Sequence, residues 1–229
     1  MTSLPAHISE TQRGRQNIER VPHHAFEHYS QLDPQWGFET GTERKMCGLT
    51  CVKAVIDYYG EQTGMRAPSM PSLLETMARK QDSVIQGMNH AVEVDMLKAQ
   101  GLIAWRRNWD APSSDVQWLV AHEGYSPEQE TAVKIQQDSE QAYATLEERQ
   151  QASLYKAIES GNPVIASVKP GFGENHADHQ VVLVGVDRND TGDTFTIMDP
   201  EHAPGSNLNT ETVERFFNYF NNRAIFMEL

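Results

Sequence analysis

At 229 residues, with a formal charge of −13 and 38% hydrophobic residues, the chain is long enough to bury a sizeable core as one domain. That acidic balance argues against nucleic acid or an anionic membrane surface as a partner. A mean hydropathy of −0.58, no apolar run of membrane-spanning length, and a polar residue 1–20 segment without a secretory apolar stretch exclude membrane insertion and a classical signal peptide.

The expected location is therefore cytoplasmic, or outside the cell by a route that needs no such signal. Two cysteines in a chain of this length give no disulfide framework, and a reducing compartment is the simpler expectation.

Residues 1–20 read as a flexible arm with little to bury, which leaves 21–229 as a single domain. His23, His24 and His28 follow Pro22, but no Cys or carboxylate at the usual zinc spacing accompanies them. No metal ion and no cofactor are expected. Tyr29 to Gly37 then leads through a polar loop to Met46-Cys47-Gly48.

Leu49, Val52, Val55, Ile56 and Tyr59 fall at three- and four-residue steps, one apolar stripe on a helix, with Gly60 as its expected stop. Cys47 then lies at the first helical turn, where unpaired backbone N–H groups and the positive end of the helix dipole favour a thiolate. Gly48 keeps the backbone beside the sulfur open to a substrate carbonyl. Cys51, one turn on, belongs with the buried stripe.

Short helices are predicted over 71–80 and 92–100, the second stopped by Gly101, then a strand over 102–107 and a further helix over 113–122. From Glu123 to Gln150 there are seven acids and two bases with few large apolar residues, so this stretch reads as solvated. It marks a helical insertion, about 108–152, decorating the surface, with 152–159 running on to Gly161.

The pattern then changes to strands: 163–168, 180–186 and 194–198, the last two joined by the Asp190-Thr-Gly-Asp193 turn. A helix over 212–221 and a closing strand over 223–228 complete an α+β chain, helices first and an antiparallel sheet second.

Thiol chemistry needs a base, a group to orient that base, and donors for an oxyanion. His179 stands just before one strand of the hairpin, and Asp199 ends the next. If the strands pair through the Arg188–Asp193 turn, their far ends meet and the two side chains become neighbours. His176 is the competing base.

The set resembles papain-like cysteine peptidases, and within them the double-glycine leader peptidases that trim bacteriocin precursors. The resemblance rests on Ser30-Gln-Leu-Asp-Pro-Gln-Trp36; Cys47-Gly48 opening a helix that ends Tyr58-Tyr-Gly60; Gly161-Asn-Pro-Val-Ile165; His179-Gln-Val-Val-Leu-Val-Gly-Val-Asp187; and Met198-Asp-Pro200. They occur in the family's order across residues 29–200.

The resemblance implies a papain-like fold, with a helix carrying Cys47 packed on a sheet carrying His179 and Asp199. It implies Cys47 as nucleophile, His179 as general base, Asp199 as orienting carboxylate and Gln31 as oxyanion donor, with a peptide or protein as substrate. The Gln31-to-Cys47 interval is longer than in papain, which leaves Gln35 as the alternative donor. No counterpart to the 108–152 insertion accompanies the family pattern, and without a transporter domain a free-standing enzyme is expected.

The same apparatus serves protein deamidation, transglutamination or acyl transfer, as in a secreted bacterial effector. A silent peptide-binding domain is disfavoured because all four chemical positions are filled.

Overall fold

The computed structural model describes residues 26–39, 43–80, 88–110, 120, 124–172 and 178–229. The arm over 1–20, His23, His24, His176 and most of the expected helix over 113–122 lie outside the described residues.

Six strands form one wholly antiparallel sheet: β1 (Ile103–Asn108), β2 (Val164–Val168), β3 (His179–Asp187), β4 (Thr194–Met198), β5 (Asn209–Thr212) and β6 (Phe220–Glu228), in the spatial order β1-β6-β2-β3-β4-β5. Period-two alternation assigns the residues of β1 to β4 and β6 to two cores, one on each face. Ala104, Ile165, Val182, Val184, Met198, Ile225 and Met227 face one; Trp105, Val164, Ala166, Val181, Leu183, Ile197 and Phe226 face the other. Central β2 is therefore buried along its whole length, which is why it reads in sequence as an unbroken apolar run.

Helices α1 (Cys47–Thr63), α2 (Met70–Lys80) and α3 (His90–Lys98) cover the first face. The α1 stripe is buried as its spacing requires, with Leu49, Val52 and Val55 wholly inaccessible. Gly60 does not stop this helix. It lies within α1, which runs one further turn to a left-handed cap at Gly64 (φ 73°). The reason for glycine at 60 is packing, since a Cβ there would sit 2.9 Å from the Met65 carbonyl oxygen. Tyr59 secures the far end of α1, its hydroxyl meeting Asn162 Oδ1 at 3.0 Å and the Met227 carbonyl at 3.3 Å.

The second face is covered by α4 (Pro127–Glu140), α5 (Leu146–Glu159) and the short α6 (Val213–Tyr219). The 127–159 stretch is thus two helices, not a solvated decoration. Val133 and Leu154 are wholly buried against the sheet. A capping box formed by Thr145 and Glu148 restarts the chain after a turn.

Polar side chains tie this layer down. Arg107 of β1 pairs with Glu140 at 2.6 Å, both nearly inaccessible, and Ser153 Oγ donates to Glu140 at 2.8 Å. Among the described residues, no helix is long and apolar enough to cross a membrane.

Candidate active site

The site forms where the start of α1 meets the sheet edge at the beginning of β3 and the end of β4. The strands β3 and β4 pair antiparallel, with Val182 opposite Met198 and a register shift between Leu183 and Gly185. Their ends consequently converge. His179 Nε2 lies 2.7 Å from Asp199 Oδ1, with His179 only 2% exposed and Asp199 4%. The same carboxylate oxygen accepts the Glu201 backbone N–H at 2.9 Å, so Asp199 is fixed from two directions.

On its other side the His179 ring engages the Cys47 side chain. With Nε2 turned to Asp199, the nitrogen left for the sulfur is Nδ1.

Burial opposes a charged ring at His179, yet the hydrogen bonds the ring donates to Asp199 and Cys47 outweigh it and push the imidazole up to about 10. Burial likewise works against the Asp199 carboxylate, but the His179 hydrogen bond and charge hold it below the usual range. Both shifts favour the same forms, an imidazolium beside a carboxylate.

Cys47 remains partly accessible while Cys51 is completely buried. Burial pushes the Cys51 thiol well up, and its Sγ lies 3.5 Å from the Gln180 carbonyl. Met46, immediately before α1, contributes no side-chain cap, so the first-turn N–H groups beside Cys47 stay available.

Gln31 reaches this edge because its segment is pinned twice. Its backbone N–H donates to the Pro200 carbonyl at 2.7 Å, while His28 Nε2 binds the Asp199 carbonyl at 2.9 Å. The same segment is held to α1 by Tyr29, whose hydroxyl donates to Asp57 at 2.6 Å, Asp57 being also paired with Lys53. Trp36 stacks on Tyr29 with ring centroids 5.8 Å apart and donates from Nε1 to the Ser30 carbonyl at 2.7 Å.

The Gln31 side chain is 1% exposed, and neither its amide nitrogen nor its oxygen has a partner among the described residues. A buried amide without partners is costly and suits a ligand that arrives later. Gln35 differs: it is exposed, with Nε2 bonded to Asp33 at 2.7 Å.

Sequence reasoning passed over Glu93 and Gln180. Both are buried, and Gln180 Nε2 donates to Glu93 Oε2 at 3.1 Å. A Cβ added to Gly48 would run into the Oε1 atoms of both, and would lie 3.3 Å from Met88 Cβ. The signal was present in the spacing. Glu93 shares helical steps with Met96 and Leu97, an acid on an apolar stripe.

The model of the Peptidase_C39 like family matches residues 23–225. Among solved structures, the chain is similar to the peptidase domain of Streptococcus ComA, a bi-functional ABC transporter of a quorum-sensing pathway. The identity is 18% and the TM-score 0.47, over 88% of this chain and 97% of that one. It is also similar to a double glycine motif protease from an AMS/PCAT transporter, solved with the leader peptide, at 16% identity and a TM-score of 0.41, over 80% and 83% of the two chains. No curated protein sequence matches.

Proposed function

The chain belongs to the Peptidase_C39 like family and is a papain-like cysteine peptidase, and from that premise we propose that it cleaves a peptide or protein substrate through a thioester on Cys47. The observation that carries this reading is the buried 2.7 Å bond between His179 and Asp199, with the Cys47 side chain on the same imidazole.

In the proposed reaction the Cys47 sulfur attacks the scissile carbonyl carbon and a C–S bond forms. The oxyanion is received by the backbone N–H of Cys47 and the side-chain amide of Gln31. The His179 imidazolium passes its proton to the leaving amine as the C–N bond breaks, leaving a thioester. Water then attacks the thioester while His179 takes its proton, the C–S bond breaks and a carboxylic acid leaves. Asp199 keeps the ring oriented and favours its charged form throughout.

Gln31, buried and without a side-chain partner among the described residues, supports the oxyanion role, because a donor held in place before the charge develops needs no reorganisation when it does.

Incubation with an electrophilic peptide or acyl probe, followed by intact mass spectrometry and peptide mapping, should give one adduct, on Cys47. Peptide substrates should yield new carboxyl and amino termini. A probe that labels neither cysteine, or conversion of glutamine side chains without chain cleavage, would remove this reading.

A further inference from the structure

Glu93 is a carboxyl group for which the reaction above has no use, yet it is 0% exposed and lies at the root of the site. It projects from the first turn of α3, one helical step from His90, and these two side chains meet a directly paired couple on the sheet. His90 Nε2 lies 2.8 Å from Ser167 Oγ, Gln180 Nε2 lies 3.1 Å from Glu93 Oε2, and Ser167 is the β2 partner of Gln180. The row ends against Gly48.

Oε1 of Glu93 has no partner among the described residues, but it borders the same spot above Gly48 as Gln180 Oε1. Two oxygens bordering one buried spot are accommodated best when one of them carries a proton.

We propose that Glu93 is a positioning residue for Cys47, paired as the neutral acid with the Gln180 amide to form an uncharged wall on which Gly48, and so the first turn of α1, is seated. In the neutral form Oε1 is a hydroxyl that can donate into the spot it shares with Gln180 Oε1, while Gln180 Nε2 donates to Glu93 Oε2. Burial disfavours the carboxylate most, and the Cys47 charge disfavours it further, against the single hydrogen bond from Gln180, so the group stays protonated well above the usual carboxylate range.

The titratable neighbours facing it from α1 are Cys47 and Cys51. A carboxylate here would oppose the thiolate that attack requires. Glycine at 48 then has a second reason besides access for substrate: any side chain would displace this wall and carry the sulfur away from His179.

The inference rests on Cys47 being the nucleophile, so its test reads the sulfur directly, through alkylation by iodoacetamide across pH, mapped by peptide mass. Glu93→Ala should slow Cys47 alkylation at neutral pH by roughly 10- to 100-fold, the cost of misplacing a reacting group by about an ångström. Glu93→Gln, which rebuilds a neutral reciprocal pair, should restore the rate to within about threefold. Gly48→Ala should show a loss of the same order as Glu93→Ala.

Infrared difference spectra of the wild type against Glu93→Gln should show the carbonyl stretch of a protonated acid, a readout that does not need Glu93→Ala to fold. Absence of that band overturns the neutral pair. Folded Glu93→Ala with the wild-type rate and pH profile overturns the positioning role. Slow labelling of Cys47 in the wild type itself would instead indict the nucleophile, a separate failure.

Discussion

The Gln31 backbone N–H donates to the Pro200 carbonyl at 2.7 Å, which ties the segment before α1 to the residue that follows Asp199. One hydrogen bond thus brings the candidate oxyanion donor and the carboxylate that orients the imidazole to the same edge of the sheet. The Gln31 side chain itself stays free of partners among the described residues, because the anchoring is done by the backbone. Gln31→Ala should accordingly leave the segment in place and cut turnover by roughly 10²- to 10³-fold, the usual cost of one oxyanion donor. Cys47 alkylation should barely change. If alkylation falls in step with turnover, Gln31 is structural.

The two cysteines should separate cleanly. Cys47 is partly exposed and in contact with His179, while Cys51 is inaccessible with its thiol pushed up by burial. Limited alkylation of the folded protein should label Cys47 much faster than Cys51. Equal rates would contradict the assignment of the nucleophile.

Loss of the imidazole should hurt more than loss of its orienting group. His179→Ala should abolish the enhanced alkylation of Cys47 at neutral pH, and Asp199→Asn should reduce it by less, since the amide still accepts a hydrogen bond from the ring. His176→Ala should leave the rate unchanged. A large effect at His176 with none at His179 would reassign the base.

Stability should carry the signature of the same pair. His179 binds its proton more tightly folded, at about 10 against 6.5, so its contribution is complete below about 6.5 and is lost as the pH climbs to about 10. Asp199 has the opposite sign: its carboxylate is held below the usual range, and its contribution disappears only as the pH falls through that lowered value. Urea unfolding midpoints between neutral and alkaline pH should therefore decline in the wild type, and decline less in Asp199→Asn. Parallel curves would show that the pair is not coupled to folding.

The buried Arg107–Glu140 pair on the opposite face should be among the costliest to break. Glu140→Ala takes the carboxylate away from Arg107, a residue only 8% exposed, and should cost up to about 3–5 kcal/mol. The exposed Lys134–Glu130 pair should cost at most about 1 kcal/mol. Denaturant titration of both variants decides it, and similar losses would mean that Arg107 finds another partner.

Much of this architecture is legible in the amino-acid order, and for identifiable reasons. The α1 stripe and the β3–β4 hairpin rest on local periodicity and turn chemistry, and the meeting of His179 with Asp199 follows once those strands pair. What escaped depends on contacts remote in sequence. Gly60 looks like a helix stop unless the returning Met65 carbonyl is known.

Strand β5, Asn209–Thr212, has no fully buried residue. It pairs through its backbone and leaves no apolar alternation to detect. Glu93 shares helical steps with Met96 and Leu97, which turns it inward, but what it meets there is known only once α3 is laid against Gln180. The division of 127–159 is readable in the capping-box spacing of Thr145 and Glu148, whereas its burial is not, because acids outnumber large apolar residues from Glu123 to Gln150.

Cys51 and Gln180 touch across 129 residues of chain, and the contact between Cys47 and His179 spans a comparable length. During synthesis Cys47 therefore leaves the ribosome long before the imidazole that it meets in the folded protein. Until the β3–β4 hairpin has emerged and closed onto α1, the nascent polypeptide holds a cysteine without a base.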